Sequence, residues 1–109
     1  MQRPRAHSGA TVEAAALLGS RIRLARRERF WTLEQLADRV GVGVVTMRKV
    51  ERGDLTVAIG TVFEAATIVG VTLFDDDLRL RRFEAGRIDD RLALLPKRIQ
   101  LPKHIDDDF

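Results

Sequence analysis

The tightest limits on how this chain can fold come from one stretch, Thr32 to Gly53, which reads TLEQLADRVGVGVVTMRKVERG. Thr32 is a good N-cap, because its hydroxyl can accept a hydrogen bond from a free N–H in the first helical turn. Apolar residues then recur at the spacing of one helix face, at Leu33, Leu36, Ala37 and Val40. Gly41 can adopt the left-handed conformation that ends a helix. The pattern predicts a helix, a tight turn, and a second helix that begins after Gly43 and stops at Gly53.

The second of these helices has two chemically different faces. One carries Val44, Val45, Arg48, Lys49 and Arg52, and the other carries Met47, Val50 and Glu51. Met47 and Val50 are most simply core residues. Arginine or lysine can reach guanine O6 and N7 in a DNA major groove, and valines suit thymine methyl groups. We therefore expect the helix to read bases through Val44, Val45, Arg48 and Lys49, at a half-site containing T and G.

Contacts to the DNA backbone are expected from a second group of residues. Arg52 at the far end of the helix is better placed for a phosphate than for a base. The N–H groups at the start of the preceding helix can hold another phosphate. The residues expected to touch the backbone are Arg21, Thr32, Leu33, Thr46 and Arg52, with Arg23, Arg27 and Arg29 left for solvent or phosphates.

Glu51 needs a separate explanation, because a carboxylate beside the DNA face would repel phosphate. If the side chain points inward it must be paired, since an isolated buried charge is very costly. Arg26, on the inner half of the first helix, is the expected partner. The sequence thus predicts a structural ion pair between Arg26 and Glu51.

Charge is unevenly distributed along the 109 residues. Residues 1–52 hold 11 Lys and Arg against 5 Asp and Glu, whereas residues 53–109 hold 8 against 11. A basic first half supplies the attraction to phosphate that DNA binding needs. A merely solvated surface is the alternative interpretation, and the helix pair favours DNA.

Composition argues against catalysis, metals and membranes. Cysteine is absent, and His7 and His104 lie at opposite ends, so neither a disulfide framework nor a zinc site is predicted. Neither Ser8 nor Ser20 has a histidine and an acid nearby in sequence. The apolar run at 14–18 is too short to span a membrane. We expect a cytoplasmic, nucleoid-associated bacterial protein that is not an enzyme and uses no cofactor.

The predicted fold is all-α, a five-helix DNA-binding domain followed by a helical extension and an extended tail. Residues 1–10 should be disordered, residues 11–74 should form the helix-turn-helix domain, and residues 75–94 a helical extension that makes the dimer contact. The first helix is expected from a Thr11 cap to about Arg29, with Leu18, Ile22 and Ala25 buried. The fourth is expected at about 60–69, and the fifth from Val71 with an interruption at Gly86.

The last fifteen residues, 95–109, have a pattern of their own. LPKRIQ at 95–100 and LPKHID at 101–106 form a near-repeat, and two prolines six residues apart forbid a helix and favour an extended chain. Regularly spaced apolar residues are unexpected in a purely solvated tail, although a frayed terminus is the usual alternative. We expect this tail to bind a partner through Leu95, Pro96, Lys97, Arg98, Ile99, Leu101, Ile105 and Phe109.

The chain resembles the XRE, or lambda-repressor/Cro-like, helix-turn-helix family over about residues 16–75. The resemblance is carried by LGSRIR at 18–23, Arg26, TLEQLA at 32–37, Gly41-Val42, the stretch from Thr46 to Gly53, and helix 4. It implies a five-helix DNA-binding domain that is usually dimeric, with an Arg–Glu pair at the Arg26 and Glu51 positions. Gly43 departs from the usual serine, and Val44 and Val45 replace the more frequent polar residues.

A narrower resemblance is to the HipB-like antitoxins found with HipA-type kinase toxins. It is carried by ERGDLTVAIGTVFEA, the acidic-hydrophobic helix after it, LLPKRI and the Asp-Asp-Phe ending. It implies a repressor of its own operon that binds a palindromic operator as a homodimer. It also implies that the protein binds the kinase toxin, and it leaves the tail and helix 5 for the toxin and the dimer contact.

Two other functions compete with an antitoxin. A plain XRE-type regulator, such as a phage repressor or a restriction-modification controller, would not need the tail LPKRIQLPKHIDDDF. An interaction adaptor that has lost DNA binding is disfavoured by Arg48, Lys49 and the basic first half. A neighbouring kinase reading frame would discriminate between the first two.

Overall fold

A computed structural model describes residues 6–74, 77–99 and 101. These residues contain five helices: α1 (Gly9–Glu28), α2 (Leu33–Val40), α3 (Val44–Arg52), α4 (Ile59–Val69) and α5 (Leu78–Ala93). No strand occurs in the described part of the chain, so the all-α prediction is confirmed. The described residues up to Leu73 form one compact unit, and those from Phe74 onward form another.

Helix α1 begins three residues earlier than the sequence predicts, counted from cap to cap. Ser8, rather than Thr11, is its N-cap, and the Ser8 hydroxyl accepts a hydrogen bond from the N–H of Thr11 at 3.3 Å. The prediction of disorder is therefore wrong for Gly9 and Ala10, which are helical because Ser8 satisfies a donor of the first turn. Residues 1–5 of that predicted segment lie outside the described residues.

The core of the first unit lies between α1, α2, α3 and α4. Its largest fully buried side chains are Ile22, Leu36, Met47 and Val50, joined by Ala65, Ala66 and Val69 of α4. Within the expected stripe of α1, Ile22 is fully buried, whereas Leu18 and Ala25 pack against the core while partly exposed. Burial of the inward residues of α3 fixes which of its faces remains in solvent.

The bounds of α2 and α3 follow from their caps. Thr32 and Gln35 form a reciprocal capping box. The backbone N–H of Gln35 donates to the Thr32 hydroxyl oxygen at 3.1 Å, and the backbone N–H of Thr32 donates to the side-chain carbonyl oxygen of Gln35 at 2.8 Å. Gly41 and Gly53 end the two helices in the left-handed conformation, with φ of 88° and 74°. Gly43 is the N-cap of α3 and provides no side-chain bond.

Helix α5 differs from the prediction at its start and at its centre. It begins at Leu78, not near Val71, because the carboxylate of Asp77 caps it by accepting from the Arg79 N–H at 2.9 Å. It also continues through Gly86 without interruption, since a single glycine in a helix costs only about 1 kcal/mol relative to alanine. None of its residues is buried.

The segment after α5 is irregular as far as it is described. The Leu95 N–H bonds to the Leu92 carbonyl at 3.1 Å, which adds a turn to the end of the helix. Residues 96–99 contain neither helix nor strand, and the backbone bends at residues 95, 97 and 98 instead of running straight. No helix among the described residues is long and apolar enough to cross a membrane.

Candidate nucleic-acid interface

Helix α3 presents a basic face with one apolar residue to solvent. Val45 is 60% exposed, and Arg48 and Arg52 are exposed, while Val44 and Lys49 at the two edges of this face are half-buried. Met47, Val50 and Glu51 are buried on the opposite side. The five residues expected to face DNA therefore share the outer side of one short helix, as the helical spacing predicts.

The inward side of α3 is joined to α1 by an ion pair between Arg26 and Glu51. Arg26 donates from Nε to Glu51 Oε2 at 2.6 Å and from Nη2 to Oε1 at 2.9 Å. Its remaining Nη1 donates to the backbone carbonyl of Trp31 at 2.9 Å, in the turn before α2. Arg26 is only 8% exposed and Glu51 only 9%. One guanidinium thus connects α1, the α1–α2 turn and α3.

The protonation state of this pair is set by its hydrogen bonds. The bonds to Glu51 raise the pKa of Arg26 above its ordinary value, and they outweigh the opposing effect of burial. Arg26 therefore carries its positive charge at neutral pH. A two-bond arginine–carboxylate contact also fixes the angle between the planes of the two groups, so it orients α3 as well as neutralising Glu51.

Beside this pair lies a cleft of about 360 Å³ lined by the residues Arg23, Arg26, Arg27, Leu33, Arg48, Glu51 and Arg52. Because Arg26 and Glu51 neutralise each other, four arginines from α1 and α3 give the cleft its net charge. Leu33, the first residue of α2, brings a helix N-terminus to the same place. Arginine guanidinium groups and helix N-termini both bind phosphate oxygens.

The cleft includes two residues that the sequence did not single out for the site. Arg23 and Arg27 of α1 line it, although the sequence placed them only among arginines for solvent or phosphates. Their spacing of four residues, on either side of the inward-pointing Arg26, is the signal that could have identified them. Arg21 is exposed on the same helix but does not line the cleft.

The other residues expected at the backbone are close to the start of α2 or on α3. Thr32 is exposed at the N-cap of α2, and its hydroxyl hydrogen remains available to a phosphate because the oxygen acts as acceptor from Gln35. Leu33 and Thr46 are half-buried. Their contribution to a phosphate contact would come from backbone N–H or hydroxyl groups, not from a charge.

Arg29 makes contacts within the fold, whereas the sequence left it for solvent or phosphates. Its Nε donates to the carbonyl of Val69 at 3.1 Å, at the end of α4, so it satisfies a carbonyl of the last helical turn. Its guanidinium carbon also lies 5.3 Å from the centre of the Trp31 ring, whose other cationic neighbour is Arg39 at 4.0 Å. Arg29 is therefore held by α4 and Trp31 rather than left for DNA.

The tail residues that the structure describes are all exposed. They are Leu95, Pro96, Lys97, Arg98, Ile99 and Leu101, whereas Ile105 and Phe109 lie outside the described residues. A mainly apolar groove of about 620 Å³ is lined by Asp89, Leu92 and Ala93 of α5 and by Leu95, Pro96, Lys97 and Ile99. Two of the predicted apolar contacts, Leu95 and Ile99, are thereby brought to one surface.

Within the described residues, no group of three or more His, Asp or Glu side chains is arranged to hold a metal ion. The geometry that is present consists of a basic α3 face, an arginine-lined cleft and a helix N-terminus, all of which suit a polyanion.

Comparisons with known proteins agree with this geometry at the level of the family. A family model described as a helix-turn-helix domain matches residues 17–80, which include α1 from Leu17 onward, α2, α3, α4 and the start of α5. Neither a curated protein nor a solved structure matches the chain. Since the match covers more than half of its length, the chain belongs to the helix-turn-helix domain family.

Proposed function

We propose that this protein is a sequence-specific DNA-binding repressor that inserts α3 into the major groove of an operator. The observation that carries the proposal is the arginine-lined cleft directly beside the exposed face of α3. One surface then combines groups that can bind phosphates with groups that can read bases. Such a combination distinguishes a DNA-binding helix from an ordinary solvated one.

Each part of this surface has a separate role in the proposal. Val44 and Val45 contact thymine methyl groups, and Arg48 and Lys49 donate to guanine. Arg52, with Arg21, Thr32, Leu33 and Thr46, contacts the phosphate backbone. Arg26 and Glu51 take no part in DNA contact but hold α3 at the required angle to α1.

The operator is proposed to be palindromic and the protein to bind it as a homodimer. A single α3 covers only a few base pairs. Two copies on half-sites about one helical turn of DNA apart are therefore needed to recognise one operator sequence specifically. This geometry is usual for helix-turn-helix proteins, whose twofold symmetry matches that of the operator.

The DNA-binding proposal is tested by replacing Arg48 and Lys49 with alanine. Loss of each good base contact should weaken specific binding by about 1–3 kcal/mol, measured by fluorescence anisotropy on an operator found by in vitro selection. Arg79→Ala is the matched control, because it removes a positive charge from α5 and not from α3. If the α3 double variant binds the operator as tightly as the Arg79 variant, the docking face is wrongly assigned.

We further propose that the repressor is the antitoxin of a HipA-like kinase toxin and binds it through its tail. The exposed residues 95–99 and Leu101, with the apolar groove lined by several of them, support this role, because they offer apolar surface outside the helix-turn-helix unit. A plain XRE-type regulator, which needs no such surface, is the alternative.

Co-purification from a lysate of the source cells, with the bound proteins identified by mass spectrometry, distinguishes these two functions. A kinase retained by the full chain and lost by a chain ending at Leu94 would support the antitoxin and place its contact in the tail. Retention by both chains would move the contact to the folded part. If neither chain retains a kinase while operator binding is intact, the plain regulator is the better account.

A further inference from the structure

Phe30, in the turn between α1 and α2, has a backbone conformation that suits glycine rather than phenylalanine. Its φ is 59°, in the left-handed region, and among the described residues other than glycine only Phe74 shares such a φ. Phe30 directly follows Arg29, the C-cap of α1, at a position where glycine is usual because a Cβ atom crowds the next carbonyl oxygen. Phenylalanine therefore makes this turn less stable than glycine would.

The fold gains almost no stability from the aromatic ring. Phe30 is 92% exposed, which is the largest exposed fraction among the large apolar residues that the structure describes, whereas its neighbour Trp31 packs against the core. A ring that stays in water contributes no hydrophobic stabilisation. A strained backbone that carries an exposed ring indicates that the ring acts in a contact with another molecule.

The hydrogen bonds of this turn place Phe30 at the end of the arginine-lined cleft. The N–H of Phe30 donates to the carbonyl of Arg27 at 2.9 Å, and the N–H of Trp31 donates to the carbonyl of Arg26 at 3.2 Å. Nη1 of Arg26 donates back to the Trp31 carbonyl at 2.9 Å. Arg26 and Arg27 line the cleft, and so does Leu33, three residues after Phe30. The turn that carries Phe30 thus connects two parts of the chain that line the cleft.

The combination of a ring with phosphate-binding groups indicates which ligand the turn fits. A free anion would need the arginines and the α2 N-terminus alone, and an exposed ring adds affinity only where the ligand also has apolar surface. The DNA backbone has both, because an apolar deoxyribose links each phosphate to the next. Proteins contact the sugars as well as the phosphates, and such contacts position the protein without reading sequence.

We propose that Phe30 packs its ring against a deoxyribose of the operator, beside the phosphate that the cleft holds. The inference rests on the proposed function, since it adds a backbone contact to the DNA interface. The contact is apolar, so it increases the affinity for any DNA sequence and releases no further counterions. Phe30 then has two opposed effects: it lowers the stability of the free protein and raises its affinity for DNA.

The decisive variant is Phe30→Gly, studied in the full chain by thermal unfolding and by DNA titration. Relief of the left-handed strain should raise Tm by about 2–5 °C. Loss of the ring should weaken binding about three- to tenfold, both on an operator found by in vitro selection and on unrelated DNA. The slope of log K against log salt should stay the same, because no charge has been removed.

Phe74→Gly is the matched control, because Phe74 also has a left-handed φ, of 65°, and is 84% exposed. It should raise Tm in the same way and leave DNA binding unchanged, since no residue that lines the cleft belongs to the unit of Phe74. Phe30→Tyr keeps the ring and should bind DNA as the wild-type chain does. Phe30→Asn should lose affinity as the glycine variant does, because asparagine accepts the left-handed conformation but lacks the ring.

Three outcomes would overturn the inference and leave the proposed function intact. If Phe30→Gly binds DNA as tightly as the wild-type chain, the ring does not contact it. If the affinity falls together with the salt slope, the substitution has displaced phosphate-binding arginines. If Phe30→Asn keeps full affinity, the effect of glycine comes from a loosened turn. Failure of the wild-type chain to bind any DNA would instead refute the proposed function, together with this contact.

Discussion

Gly19 of α1 lies directly against the backbone of Glu51 in α3. A Cβ atom at position 19 would stand 2.7 Å from the Glu51 carbonyl oxygen and 2.7 Å from that of Val50. Real Cβ atoms do not approach backbone atoms so closely, and α1 and α3 therefore pack in this way only because residue 19 has no side chain. Val50 and Glu51 lie within one helical turn of Arg48 and Lys49, which are expected to read DNA.

The first prediction concerns this contact. Gly19→Ala should lower the free energy of unfolding by about 1–3 kcal/mol, because the added methyl group forces two backbones apart. Gly60→Ala is the matched control: it makes the same change in α4, where a Cβ would meet nothing within 4 Å. Denaturant unfolding followed by circular dichroism checks both. Equal stability of the two variants would contradict the close packing.

The second prediction concerns the buried ion pair. Glu51→Ala should destabilise the fold by about 3–5 kcal/mol, because it leaves the guanidinium of Arg26 buried without its anion. Replacing both residues, as in Arg26→Met/Glu51→Leu, should recover much of this loss, since no unpaired charge then remains. Thermal unfolding of the wild-type chain, Arg26→Met, Glu51→Leu and the double variant forms a double-mutant cycle. Additive effects would show that the pair contributes no coupling.

The third prediction separates phosphate contacts from base contacts. Arg23→Ala and Arg27→Ala should weaken binding to all DNA sequences alike, and each should reduce the slope of log K against log salt by about 1. Arg48→Ala should instead relax discrimination at a guanine position. Titrations of operator and unrelated DNA over a range of salt concentrations measure both effects. A sequence-dependent loss in the α1 variants would mean that these arginines reach bases.

The fourth prediction concerns the turn after α3 and its dependence on pH. The hydroxyl and the N–H of Thr56 both donate to Asp54 Oδ1, the latter at 2.8 Å, and these bonds hold the pKa of Asp54 below its ordinary value. A lowered folded-state pKa means that the contribution to stability is present above the unfolded pKa and is lost as pH falls through the folded one.

Thr56→Ala should accordingly move the pKa of Asp54 upward, because it removes the hydroxyl donor and keeps the N–H. A carboxyl ¹³C NMR titration of Asp54 in both chains measures the change directly. An identical titration would show that the hydroxyl does not hold the carboxylate.

Local sequence determined much of the helical framework. Thr32, Gly41, Gly43 and Gly53 bound α2 and α3 where the pattern places them, because N-caps and left-handed glycines act through neighbouring residues alone. The two faces of α3 follow equally from its 3.6-residue period. A carboxylate on the inward face also requires a cation, and Arg26 lies there.

The sequence is a weaker guide to structure where several local solutions compete. Ser8 and Thr11 are both good caps, and the helix uses the earlier one. Gly86 resembles a break, yet Asp77 starts a helix that continues past it to Ala93. A glycine inside a helix raises the free energy only locally and by a small amount. The helix continues through it when the free energy gained by the whole helix exceeds that amount.

Only the tertiary structure decided which distant residues meet. Arg23 and Arg27 of α1 join Arg48 and Arg52 of α3 around one cleft, while Arg29, two residues after Arg27, binds the Val69 carbonyl at the end of α4. These arginines have the same chemistry, and their spacing alone cannot assign a partner to each. The assignment follows from the packing of α1 on α3 and α4, which depends on the side chains that fill the core between them and on the absence of one at Gly19.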